Sequence, residues 1–109
     1  MLELRVQQIY FDAIADGRKT IEGRLAKEKF RMLQTGDRIK FFNNEGTQSV
    51  VKTVVATRVY RTFEQSFRNE DYKNAIPGAK NASFAVSVYE RFYSEEMQNE
   101  HGVIFIEIR

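Results

Sequence analysis

The chain has no cysteine and a single histidine, His101. Without cysteine it can build neither a disulfide framework nor a thiolate zinc site, which fits a reducing cytosol. One histidine rules out a histidine-rich metal centre within one chain and leaves only carboxylates to hold magnesium. No resident metal or other cofactor is therefore expected. No apolar run approaches the ~18 residues of a membrane span, and the first residues lack the pattern of a signal peptide. Internal repeats, low-complexity tracts and linkers are also missing. A cytoplasmic, membrane-free chain is the expectation.

What is present suits one folded unit. The 109 residues, 42% hydrophobic and 13% aromatic, fall in the usual ~100–150 residue range of a domain and can bury a real core. Residues 1–109 are read as a single domain. Net charge is only +2, but residues 1–61 hold 12 Lys and Arg against 7 Asp and Glu, and residues 62–109 hold 5 against 8. The excess concentrates in Arg18, Lys19, Arg24, Lys27, Lys29 and Arg31, opposed by Glu22 and Glu28. A local basic patch on a nearly neutral chain points to a phosphate-bearing partner.

Gly17-Arg18-Lys19-Thr20-Ile21-Glu22-Gly23-Arg24 is the densest part of that patch. Thr20 and Ile21 favour a strand, and the flanking glycines break helices. Strand alternation puts Arg18, Thr20, Glu22 and Arg24 on one face and Lys19, Ile21, Gly23 and Leu25 on the other. Glu22 then orients Arg18 or Arg24 and leaves guanidinium donors free for an external anion. The bland alternative is a charged edge strand that discourages aggregation.

Elsewhere the periodicities are simple. Leu2, Leu4 and Val6 mark a half-buried first strand. Gln8 to Asp16 reads as a short helix stopped by Gly17. Lys27 to Leu33 reads as a loop or single turn, and Arg38 to Phe42 as a strand. Asn43-Asn44-Glu45-Gly46 is a hairpin signal. The run Ser49 to Arg61 is long for one strand, so a bend or bulge is expected near Ala56-Thr57. Thr62 with Gln65 suggests a capping box, and Asn81 or Ser83 caps a later helix closed by Gly102. Val103 to Ile108 is apolar on both faces and should be a central strand. The order predicts an α+β fold, a small mixed or antiparallel β-barrel of about five to six strands with flanking helices.

These pieces, taken in order, resemble the ASCH domain, a branch of the PUA-like β-barrels. The resemblance rests on residues 17–24, Thr35-Gly36-Asp37 leading into Ile39-Lys40-Phe41, and Val59-Tyr60-Arg61-Thr62-Phe63. It continues in Ile76-Pro77-Gly78, Tyr89-Glu90-Arg91-Phe92-Tyr93-Ser94 and Gly102 to Ile108, so it spans nearly the whole chain. It implies a cleft beside the barrel that holds RNA or a modified base. One branch of the family hydrolyses the amide of acetylcytidine with a lysine, a threonine three residues later and a distant glutamate. Lys19 matches that lysine, but Glu22 stands at the threonine's offset and Thr20 lies too early. Glu64, Glu70 and Glu90 are the candidates for the distant acid. A ribonuclease activity is the other enzymatic possibility the resemblance brings.

The expected function is binding of single-stranded RNA, a nucleotide or a nucleoside. Arg18, Lys19, Glu22 and Arg24 would contact the ligand, and Lys27 and Lys29 would form an electrostatic rim. Tyr60, Tyr93 and the neighbouring Ser94 are candidates for stacking or contact at the cleft mouth, with Tyr89 as a further ring. The alternative is a metal-independent hydrolase, either a ribonuclease or an amidohydrolase on an acetylated cytidine-type nucleoside. There Lys19 and Glu22 would be the acid/base pair. His101 has no partner motif and reads as a surface residue near a helix end.

Overall fold

A computed structural model describes residues 1–109. Five strands form one curled sheet in the order β1-β3-β4-β5-β2, a half-barrel whose two edge strands are β1 and β2. The strands are β1 (Leu2–Val6), β2 (Ile21–Leu25), β3 (Arg38–Asn43), β4 (Ser49–Tyr60) and β5 (Val103–Ile108). β1 pairs with β3 in parallel and every other pairing is antiparallel, so the sheet is mixed. β5 lies between β4 and β2, the central place its two apolar faces predict.

The long β4 serves two neighbours. Its first residues pair with β3, and Val54 to Tyr60 pair with β5. A register shift between Val54 and Ala56 supplies the bend that a twelve-residue strand needs to turn from one partner to the other. It lies within a residue or two of the expected position.

Six helices surround the sheet: α1 (Gln8–Asp16), α2 (Glu28–Arg31), α3 (Phe63–Ser66), α4 (Tyr72–Ala75), α5 (Ala82–Glu90) and α6 (Glu95–His101). Gly17 ends α1 in the left-handed region at φ 88°, a conformation cheap only for glycine. Asn81 rather than Ser83 caps α5, its Oδ1 accepting from Phe84 N at 2.9 Å. The segment between Asn81 and Gly102 is two helices, because Ser94 interrupts it and caps α6, accepting from Met97 N at 3.1 Å. Thr62 caps α3 by accepting from Gln65 N, but the Gln65 amide answers to Arg61 N rather than closing a box on Thr62.

Because β5 is central, it divides the apolar interior. Ile104, Ile106 and Ile108 join Leu4, Phe11, Ile14, Phe30, Ile39 and Phe41 on one side. Val103 and Phe105 join Phe63, Phe67, Ala85, Val88 and Tyr89 on the other, under α3, α4 and α5. Most aromatic rings are spent here, as their area would suggest.

Candidate functional site

The two free edges of the half-barrel do not pair, and a cavity of about 240 Å³ lies at the seam between them. Its walls come from the end of β1, α1, the whole middle of β2, the β3–β4 hairpin and the last turn of α5. Its floor is ionic. Lys19 and Glu22 are only 3% and 5% exposed. Lys19 Nζ donates to the Ile21 carbonyl at 2.6 Å and the Ala75 carbonyl at 2.5 Å, and stands 3.4 Å from Glu22 Oε1. Glu22 Oε2 accepts from Arg24 Nε at 2.8 Å. Arg24 then reaches across the seam, its Nη2 donating to the Arg5 carbonyl at 3.3 Å.

This geometry corrects the strand alternation expected for residues 17–24. β2 begins at Ile21, and Arg18, Lys19 and Thr20 precede it. Lys19 N donates to Ala13 O at 2.9 Å and Thr20 N to Asn74 O at 3.0 Å, so the N–H groups of this stretch are held by α1 and the end of α4, and only the Thr20 carbonyl reaches the ladder. Freed from alternation, Lys19 turns inward and meets Glu22. Arg18 turns outward, and its Nε pairs with exposed Asp16 at 2.8 Å. Glu22 therefore lies between Lys19 and Arg24, not between Arg18 and Arg24.

The charges settle one another. Burial alone would raise the Glu22 carboxyl, but the Lys19 and Arg24 cations overcome it and hold the group below the ordinary carboxylate range. Burial draws the Lys19 ammonium below the usual lysine value, with Glu22 opposing. Two carbonyls and a carboxylate already engage its three protons, so the charged form is the one the site is built around.

An aromatic wall stands over the floor. Tyr89 stacks on Phe63 with ring centroids 4.2 Å apart and planes 3° from parallel, and Tyr93 lies 5.6 Å from the same ring. Burial raises both phenols, and Glu22 adds to the effect. Gly23 makes this closeness possible, since a Cβ there would come within 2.9 Å of the Tyr89 ring and hydroxyl. Gln98, 1% exposed, ties the wall to α3 and α6. Its Oε1 accepts from Phe63 N at 3.0 Å, and its Nε2 donates to Tyr93 O at 3.1 Å.

Of the sequence candidates, Lys19, Glu22, Arg24 and Tyr93 meet at the cavity, and Tyr89 joins them. The others lie elsewhere. Lys27 and Lys29 are exposed at the start of α2, with Lys29 Nζ 5.0 Å from the centre of the Phe30 ring. Tyr60, at the end of β4, donates its hydroxyl to Glu70, which also receives Arg58. Ser94 is occupied as the α6 cap. Glu64 faces Arg68 at 3.7 Å, and neither it, Glu70 nor Glu90 reaches the cavity. His101 lies at the end of α6, its carbonyl accepting from Arg31. The sequence reading missed Arg5, Tyr10, Asn44 and Phe92. Arg5 stands at the rim, its Nη1 donating to the Asn44 carbonyl at 2.7 Å. These residues come from four separate places, namely β1, α1, the β3–β4 hairpin and the turn after α5, and only the curl of the sheet brings them together. No group of three or more His, Cys, Asp or Glu converges anywhere to hold a metal ion, and no helix is long and apolar enough to cross a membrane.

Curled mixed sheet, flanking helices and a pocket at the open seam together define a PUA-like half-barrel protein. Within that class the chain belongs to the ASCH domain family, whose family model matches residues 4–109. It is 38% identical to hypothetical protein PH0355, aligning over 99% of this chain and 96% of that one, with a TM-score of 0.88 to its crystal structure. Protein PF0455 from Pyrococcus furiosus, solved in solution, is 34% identical over 99% of this chain and 94% of its own, with a TM-score of 0.75. ASCH from Zymomonas mobilis shares the fold at 14% identity and a TM-score of 0.68, over 98% of this chain and 65% of that one. No curated protein sequence matches the chain.

Proposed function

We propose that this protein binds a nucleotide, free or as an unpaired unit of single-stranded RNA, in the cavity at the β1–β2 seam. The observation that carries the reading is the buried Lys19–Glu22–Arg24 cluster under an aromatic wall, with Arg24 and Arg5 reaching the mouth. Three cations line the cavity against one carboxylate, which suits an anionic ligand. At about 240 Å³ the cavity is slightly smaller than the ~300–1,000 Å³ of drug-sized sites, so it suits one base rather than a length of polymer. Arg24 and Arg5 would take the phosphate, Glu22 would accept from ring or exocyclic N–H groups, and Tyr93 and Phe92 would stack on the base. Lys27, Lys29 and Arg18 would add only salt-dependent attraction for a longer strand.

The hydrolase alternative draws less support. Both Glu22 oxygens face cations, and Lys19 has no proton or lone pair to spare, so neither side chain is poised to exchange a proton. The test is calorimetric titration with the four ribonucleoside 5′-monophosphates and a short single-stranded RNA at two salt concentrations, with ligand integrity checked afterwards. Binding of intact ligand that weakens roughly tenfold or more in Arg24→Ala, in a variant still folded by circular dichroism, is the expected result. Ligand breakdown that stops in Lys19→Ala would establish the hydrolase instead. If neither binding nor breakdown is seen, the nucleotide reading fails.

A further inference from the structure

The edge of β2 that faces the seam carries a second set of polar groups, those of the main chain. Ile108 N donates to Thr20 O and Ala26 N to Gly102 O, each at 2.9 Å. With the one-to-one register from Ile21 opposite Glu107 to Leu25 opposite Val103, Glu22 with Ile106 and Arg24 with Ile104 become the pairs that exchange hydrogen bonds. In an antiparallel ladder each residue turns its N–H and C=O to the same side, and neighbours alternate. Ile21, Gly23 and Leu25 therefore direct theirs away from β5, toward β1. The Ile21 carbonyl is taken by Lys19 Nζ and the Leu25 carbonyl by Lys27 N. The Ile21 and Leu25 N–H groups lie outside the ladder too, but neither residue lines the cavity; Gly23 does, buried, and both its N–H and its C=O lie outside the ladder.

Buried main-chain groups almost always have partners, so a free donor and acceptor side by side in a cavity wall point to a ligand that supplies them. A second observation falls in the same place. The Tyr89 hydroxyl is buried against Gly23, whose N–H is directed towards it, yet it completes no well-formed hydrogen bond. Glycine at this position keeps the strand edge clear, because any side chain would collide with the Tyr89 ring.

We infer that the Gly23 N–H and C=O form a recognition edge for a nucleobase. They take the edge of the ring on which a donor N–H adjoins an acceptor, as the neighbouring strand of a sheet would. The inference rests on the nucleotide reading and adds how the base is held. The main chain of β2 reads the ring, and the Arg24 and Arg5 cations hold the phosphate. A ligand methylated at the ring nitrogen of that edge presents no donor or acceptor there and is excluded.

The test is a ¹⁵N NMR titration of the full chain with each ribonucleoside 5′-monophosphate, its counterpart methylated at the ring nitrogen of the pairing edge, and ribose 5-phosphate. The expected result is that the bound nucleotide shifts the Gly23 amide and slows its hydrogen exchange. The methylated counterpart should bind roughly 10-fold or more weakly, since it leaves buried polar groups unmet. A nucleotide that shifts Arg24 and Tyr93 but leaves Gly23 exchange unchanged would overturn the edge proposal and leave the nucleotide reading standing, as would equal affinity for the methylated form. No shift in any cavity signal would overturn both. A Gly23 response to a short extended peptide alone would replace the base with a strand partner.

Discussion

Glu22 is an anion whose two carboxylate oxygens each face a cation, Lys19 and Arg24, and its titration should report that. Its carboxyl is held below the ordinary range, so its contribution to stability is complete above the unfolded value of ~4.3 and is lost as pH falls towards the folded one. Glu22→Gln should lower stability at pH 7 by about 3 kcal/mol, the lower end of what breaking a buried pair costs. The gap between variant and wild type should narrow as pH drops below ~4.3, measured by urea unfolding across that range. A gap that widens with acid would mean that the cations do not dominate the carboxyl. At this scale the sequence was informative where chemistry is dense. Residues 17–24 announced Lys19, Glu22 and Arg24 as a cluster, because three charges within six positions must meet or be solvated. It misplaced Arg18 and Lys19 because period-two reasoning assumes the strand has already begun. Nothing local shows that Lys19 N bonds back to Ala13.

Among the elements, α6 has an effect on the site out of proportion to its distance from it. Gln98 is its one buried polar side chain, and that amide joins Phe63 N on α3 to the Tyr93 carbonyl just beyond α5. Gln98→Leu keeps the volume and leaves both main-chain groups unmet, so stability should fall by about 1–3 kcal/mol. Tyr93 should loosen as well, weakening nucleotide binding severalfold while Arg24 contacts persist. Thermal denaturation checks the first and calorimetry the second. Helix breaks explain what the sequence hid here. Ser94 lies within a run whose apolar spacing continues past it, so one long helix was the natural reading, and the cap became visible only from Met97 N. β2 offers a companion measurement. Glu22 and Arg24 donate to β5 while Gly23 does not, so amide exchange in the free protein should alternate slow, fast, slow across the three. Uniform protection would contradict the ladder parity.

For the molecule as a whole, the half-barrel was legible because its strands obey plain alternation, β5 is apolar on both faces, and β4 is too long for a single partner. The pocket's full membership was not. Arg5 reads as the solvent face of β1, and Asn44 as a hairpin residue. Both readings hold locally, and the two residues become site components only when the sheet curls and its edges approach. Hydrogen exchange should rank the strands accordingly, with the Ile104 and Ile106 amides slowest and the β1 amides fastest, because β5 is paired on both sides and β1 on one. The order β1-β3-β4-β5-β2 also has a consequence for how the chain assembles. β3 and β4 are joined by a short hairpin and β1 precedes both, so these three can associate early, but β2 has a single ladder partner, and Gly23 must wait for Phe105 near the other end of the sequence. Contacts so distant along the chain form slowly. During synthesis the strand that carries the site therefore emerges early, second only to β1, and is incorporated last. Its charges keep it soluble through the interval, and ligand competence should appear only in the final kinetic phase of folding.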